Sequence, residues 1–216
     1  MEIEETKEKI VEAATKLFMR EGCKRVTMDN IAAHMHISKR TLYEIFANKE
    51  ELLKACIGAI HEEVETNRKR LESQVDDPIL LAIYLTHNTA VANHKYDTFR
   101  EDVRRYYPEI YAYFSKIQTE KFHRVLSSAL EEAQSKGILR AYVDVKQVFK
   151  TFSSYMHSSQ ANPSRERYEE WLVDVRETLY TYMRGLMATE AIQRYDAQKE
   201  RFRQIFLDNE NQQRKE

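Results

Sequence analysis

Residues 27–49 read TMDNIAAHMHISKRTLYEIFANK, and this stretch decides the fold. It holds two short helical patterns joined by a tight turn, each with a marked start. Thr27 suits the N-cap of the first, with Val26 and Ile31 as a hydrophobic staple; Ser38 suits the N-cap of the second, with Ile37 and Leu42 as its staple. Lys39, Arg40, Thr41 and Tyr43 crowd the start of the second helix. Two helices this close, the second so furnished, predict a helix-turn-helix whose second helix enters the major groove of DNA.

A helical wheel at about 100° per residue separates the two faces of that second helix. Leu42 and Phe46 point inward, toward Leu17, Phe18 and Ile31, while Arg40, Thr41 and Glu44 point outward with Lys39 and Tyr43 beside them. The outward chemistry suits base edges: arginine forks onto guanine O6 and N7, threonine meets the thymine methyl, and glutamate accepts from cytosine N4. Lysine and tyrosine are natural phosphate contacts. Thr27 and Lys49 stand at helix N-termini, where free N–H groups favour an anionic phosphate.

Working outward, apolar residues at helical spacing predict a first helix over about residues 4–21, ended by Gly22. Asn48, with Glu51 at the capping-box position, starts a fourth helix over about 49–74; Leu52, Leu53, Cys56, Ile57 and Ile60 lie on its inner side and a solvated charged run, 62–72, follows. Asp77–Pro78 restarts the chain as an N-cap with proline at the first helical position. Helices then follow over about 78–95, 97–106, 108–136, 144–159, 165–187 and 190–208, with a loop at 160–164 and a polar tail, NENQQRKE. A boundary near residue 50 separates a three-helix unit, 1–50, from a larger helical part, 51–216.

Composition agrees. Only 4 glycines and 3 prolines in 216 residues supply too few turns for a β-rich or α/β protein, so the class is all-α. No GxGxxG or Walker A loop is present. Cys23 and Cys56 are the only cysteines, form no CxxC or disulfide framework, and fit a reducing cytoplasm. The acidic start MEIEETKEK lacks an apolar signal core, and no run of about 18 apolar residues suggests a membrane span. With a net charge of −1, affinity for DNA must come from local charge on one surface. The 7 histidines offer neither an HExxH nor a third ligand at a useful spacing to His87 and His94, so no metal or other cofactor is expected. No Ser/His/Asp or Cys/His arrangement appears, and an enzyme is not expected.

Residues 10–53, IVEAATKLFMREGCKRVTMDNIAAHMHISKRTLYEIFANKEELL, closely resemble the DNA-binding domain of the TetR (tetracycline-repressor) family. The matching features are AA..LF, Gly22, Thr27, IAA, Ser38, TLY, Phe46 and KEEL. The resemblance implies double-stranded DNA as partner, with DNA contacts from Lys39, Arg40, Thr41 and Tyr43 and phosphate contacts from Thr27 and Lys49; Ser38, the cap of the reading helix, is a DNA-binding candidate beside them. One position departs from the pattern: the family usually has glycine two residues before the serine cap, where this chain has His36. If that residue is left-handed, a side chain there costs about 1 kcal/mol.

For the larger part, the resemblance implies a small-molecule effector and a homodimer, but not which effector. Aromatics are plentiful here, and tyrosine supplies both apolar wall and polar tip, as pockets between helices require. Tyr84, His87, Tyr107, Tyr111, Phe152 and Tyr155 are the candidate wall, against the plain alternative that they are core aromatics. The family pairs its last two major helices in a four-helix bundle. Here they carry an apolar stripe of Trp171, Leu172, Val175, Leu179, Tyr182, Met183 and Leu186, which a protomer core needs in any case. The expected function is a cytoplasmic, ligand-responsive, homodimeric repressor on a palindromic operator, with no membrane partner. Its rivals are a ligand-independent architectural DNA-binding protein and a helical adaptor for other proteins.

Overall fold

The computed structural model describes residues 2–158, 167–197, 203, 204 and 207, with the side chains of 2, 3, 155–158 and 169 outside that description. The expected loop at 160–164, Phe202, Ile205, Phe206 and the tail from 209 onward also lie outside the described residues.

The described chain is all-α. Its helices are α1 (Glu2–Glu21), α2 (Met28–His34), α3 (Lys39–Ile45), α4 (Lys49–Glu72), α5 (Pro78–Lys95), α6 (Asp97–Tyr106), α7 (Pro108–Ser135), α8 (Val145–Ser158) and α9 (Tyr168–Leu186). Residues 189–197 form a further helical stretch. Most starts are set by the side chains that the sequence singled out. Asp77 Oδ1 accepts from the N–H groups of Ile79 and Leu80 at 2.9 and 3.2 Å, and Asp144 Oδ1 from those of Lys146 and Gln147 at 2.9 and 3.3 Å. Asn48 accepts from the Glu51 N–H at 2.9 Å, while the Glu51 carboxylate reaches back one residue further than a capping box, to the Ala47 N–H at 2.9 Å.

Contacts gather the chain into two compact units: residues 1–69 with 95–120, and residues 70–94 with 121–216. The three-helix unit expected over 1–50 lies inside the first. That unit has its own core, in which Ile10, Leu17, Phe18, Ile31, Leu42 and Phe46 join Leu52, Leu53 and Cys56 of α4 and Phe99 and Val103 of α6. Small as the helix-turn-helix is, α4 and α6 supply the apolar surface it lacks. Tyr96 completes this unit, its hydroxyl donating to Glu63 at 2.9 Å beside the Lys95–Glu63 ion pair at 2.8 Å.

The second unit is built around α5, which is buried almost throughout, from Pro78 to Val91. Leu126, Leu130 and Ala133 of α7, Phe152 of α8, and Val175, Leu179 and Met183 of α9 close around it. A single antiparallel bridge, Leu139 with Met187, ties the α7–α8 link to the end of α9 through Arg140 N–H to Leu186 O at 3.0 Å and Ala188 N–H to Ile138 O at 2.9 Å. Tyr195, from the last helical stretch, is buried against this core and donates to Asp77, the cap of α5.

The charged run 62–72 departs from its expectation as a solvated face. Leu71 is fully buried, and Arg68 pairs with Glu65 in a half-buried setting. Its apolar positions are too few to show as a stripe among so many charges. No helix is long and apolar enough to cross a membrane among the described residues.

Candidate nucleic-acid interface

The candidate surface starts from two capped turns. Thr27 and Asn30 form a reciprocal box: the Asn30 N–H donates to Thr27 Oγ1 at 3.2 Å, and the Thr27 N–H donates to Asn30 Oδ1 at 2.9 Å. Ser38 Oγ accepts from the Thr41 N–H at 3.0 Å. Between them the chain turns at His36, which adopts φ 55°. It is the position where the family pattern calls for glycine, and the left-handed backbone is present with the side chain in place.

α2 packs on both α1 and α3. That packing fixes the face of α3. Leu42 is fully buried, and Phe46, at the C-cap, is 4% exposed. The opposite side is open to solvent: the Arg40 side chain is 87% exposed and Tyr43 is 48% exposed. Thr41 is half-buried, with its hydroxyl 2.8 Å from that of Ser38. Lys39, Arg40 and Tyr43 thus share one exposed surface, as the helical wheel requires.

Two exposed cations of this surface are held by acids. Lys39 Nζ donates to Asp29 Oδ2 on α2 at 2.6 Å, and Arg40 Nε donates to Glu44 Oε1 at 2.8 Å, one turn along α3. Lys49 lies elsewhere. Its ammonium is half-buried, 3.5 Å from the Lys24 carbonyl and 5.9 Å from the centre of the Phe18 ring. Burial lowers its pKa, with the neighbouring Cys23 and Asp102 opposing that shift. The Lys49 side chain reaches the end of α1, at the Lys24 carbonyl and the Phe18 ring.

The end of α1 reveals a device that residue patterns did not expose. Gly22 adopts φ +88°, and a Cβ there would stand 2.7 Å from Asp102 Oδ2 of α6. That same oxygen accepts the Cys23 N–H at 2.7 Å. A glycine is needed twice over, for the backbone and for the approach of the carboxylate. The sequence signal was the glycine itself; nothing local names a partner 79 residues away. Burial pushes the Cys23 and Cys56 thiols each up to about 12, so neither is a reactive thiolate.

The candidate effector residues divide between the two cores. Tyr84, His87 and Phe152 are buried in the second unit, whereas Tyr107 and Tyr111 pack, partly buried, on the core of the first. The side chain of Tyr155, on α8, lies outside the described residues. Burial, with the positive charge of Arg176 nearby, lowers the pKa of His87 to about 4, so it is neutral at pH 7. Of the α9 stripe, Leu172, Val175, Leu179 and Met183 are spent on the core of their own unit, while Trp171, Tyr182 and Leu186 are only partly covered. Among the described residues, no group of three or more His, Cys, Asp or Glu side chains could hold a metal ion.

Comparison with known proteins agrees with this geometry. Residues 10–56 match the sequence model of the bacterial regulatory proteins of the tetR family. The likeness to the tetR family of transcriptional regulators is thus carried by residues 10–56. The chain is 26% identical over 152 residues to the uncharacterised HTH-type transcriptional regulator YhgD of Bacillus subtilis, a match covering 70% of this chain and 65% of that protein. The chain thus spans less than two thirds of the curated relatives it matches. In fold it is similar to a TetR transcription regulator from Haloarcula marismortui, with a TM-score of 0.72 at 16% identity over 86% of this chain and all of that one. It is also similar in fold to a gamma-butyrolactone receptor, with a TM-score of 0.60 at 21% identity over 94% of this chain and 98% of that one. The TetR-family segment thus coincides with α1–α3 and the start of α4, where the capped helix-turn-helix sits.

Proposed function

We propose that this chain is a ligand-responsive repressor that acts in the cytoplasm as a homodimer on a palindromic DNA operator. The observation that carries the reading is α3: apolar Leu42 and Phe46 anchor one side while Lys39, Arg40 and Tyr43 stand exposed on the other. Residues 1–50 read the DNA, and residues 51–216 pair the subunits and receive the effector.

Within the interface, Arg40 forks onto a guanine and the Thr41 methyl meets a thymine, while Lys39 and Tyr43 hold phosphates. Ser38 and Thr27 cap the two helices and present their N-termini to the backbone. Lys49 acts through its hold on the end of α1, and reaches a phosphate only if DNA draws its side chain outward. In a two-fold dimer, the paired α3 helices must stand about 34–36 Å apart to enter successive major grooves. Trp171, Tyr182 and Leu186, the part of the α9 stripe that the protomer leaves partly uncovered, supply the subunit contact with α8.

The effector reading is supported by the likeness in fold to a receptor for gamma-butyrolactones. Tyr84, His87 and Phe152 form the candidate wall in the second unit, with Tyr155 on the neighbouring turns of α8, and Tyr107 and Tyr111 as candidates in the first. A bound molecule releases DNA only by favouring a dimer state whose reading helices miss the groove spacing. A mobility-shift assay tests the DNA reading. The full chain should prefer the DNA upstream of its own gene over random duplex at moderate salt. Tyr43→Ala should weaken binding to every sequence, and Arg40→Ala should relax preference at one position in each half-site. Equal binding to random duplex contradicts the proposal.

A further inference from the structure

The helix-turn-helix from Thr27 to Phe46 carries no net charge, because Lys39 and Arg40 are balanced by Asp29 and Glu44. These charges are also paired one to one, Lys39 with Asp29 at 2.6 Å and Arg40 with Glu44 at 2.8 Å. Every member is exposed, with side-chain exposures of 66% and 54% in the first pair and 87% and 60% in the second. Solvent-exposed pairs of this kind hold weakly, so a stronger partner displaces them. Random duplex attracts proteins through phosphate charge alone, by release of condensed counterions. A reading face whose cations already have anionic neighbours benefits little from that release, and its carboxylates repel the approaching backbone.

The Arg40–Glu44 pair adds a geometric element. The bond to Glu44 uses Nε, at the inner edge of the guanidinium. It leaves both terminal nitrogens for the outward fork that guanine O6 and N7 accept. Glu44 lies one turn behind, on the same exposed side of α3, so it holds the plane of the fork while its charge discourages a phosphate from capturing it.

We propose that Asp29 and Glu44 are specificity-determining residues: they keep Lys39 and Arg40 from random duplex, and Glu44 positions the Arg40 fork for a guanine. The proposal rests on the DNA-binding reading above. Lys39 leaves Asp29 for a phosphate only when base contacts from α3 favour the docked state. Discrimination is thereby obtained partly by weakening the wrong complex.

The test uses the full-length protein. An operator is first selected in vitro by the parent from randomised duplex. Fluorescence anisotropy then measures binding of parent and variants to that operator and to a scrambled duplex over a range of salt. Asp29→Asn and Glu44→Gln each keep a hydrogen-bond acceptor and remove the charge. Each should tighten binding to scrambled duplex roughly tenfold near 0.1 M salt and steepen the slope of log K against log salt by about 0.9 for each additional phosphate neutralised. Glu44→Ala, which also removes the buttress, should additionally lose preference for guanine at one position per half-site, a loss that Glu44→Gln should not show. All of the sites are exposed, and circular dichroism melting confirms that the fold is kept. Unchanged affinity for scrambled duplex and an unchanged salt slope in both charge variants, with operator preference intact in the parent, overturn the proposal and leave the DNA-binding reading standing. A parent that enriches no sequence overturns both.

Discussion

Helices α3 and α5 show opposite ways of using a helix. α3 is seven residues long and buries one side, leaving charge and hydroxyl chemistry to solvent. α5 runs for 18 residues and is buried on nearly every side, from Pro78 to Val91, Thr86 and His87 included. A half-buried helix states in its pattern which residues hold the fold and which are available to a partner. A fully buried helix states only that it is core, because every residue there has a packing reason to be what it is. Function is therefore readable in α3 and ambiguous in α5.

The largest expected effect strikes the buried side of α3. Leu42→Ala opens a cavity in a small core and should cost about 2–5 kcal/mol, measured by denaturant unfolding of the first unit, with loss of DNA binding. If stability is retained, α3 does not rest on the core of α1 and α2 as described.

The corresponding test of α5 is its response to pH. His87 is neutral in the fold, with a pKa lowered to about 4, and regains an ordinary value near 6.5 when unfolded. The unfolded chain therefore binds a proton over that window and the folded chain does not. Stability contributed by neutral His87 is intact above pH 6.5 and falls as pH drops toward 4, by about 3 kcal/mol in all. In His87→Gln the acid loss between pH 7 and pH 4.5 should be smaller than in the parent by about 2 kcal/mol, most of that amount. An identical pH dependence in both would mean that His87 takes up its proton inside the fold.

The next effect concerns the end of α1. Asp102→Ala removes the acceptor of the Cys23 N–H, and should cost about 1–3 kcal/mol of unfolding free energy. Asp102→Asn, which still offers a carbonyl oxygen, should cost less. The smallest effect is a gain: His36→Gly relieves the left-handed backbone and should stabilise the first unit by up to about 1 kcal/mol. A loss of stability on this change would show that the imidazole makes a contact worth more than its strain.

Much of the fold was legible in the sequence, because its helix starts are written in short-range chemistry. Thr27, Ser38, Asn48, Asp77 and Asp144 each cap within three residues of themselves, so no knowledge of the distant chain was needed. The exposed side of α3 was legible for the same reason, since burial of Leu42 fixes the direction of Arg40. Long-range partners were not legible. Nothing near Gly22 announces Asp102, and nothing near Lys49 announces that its ammonium turns toward Lys24 and Phe18. Residue type alone marks the six aromatic and histidine candidates. The chain distributes the five whose side chains are described between two cores, because composition carries no information about which helix meets which.

The central claim is that α3 lies in the major groove with Arg40 on a guanine, and methylation interference tests it most directly. Dimethyl sulfate marks guanine N7 in the major groove and adenine N3 in the minor groove. On the selected operator, methylation of one guanine in each half-site should block binding of the parent, the two lying about one helical turn apart. Arg40→Ala should become indifferent to that mark. Interference confined to adenine N3, or guanine interference that persists unchanged in Arg40→Ala, would contradict the placement of α3 and of the side chain on which the reading rests.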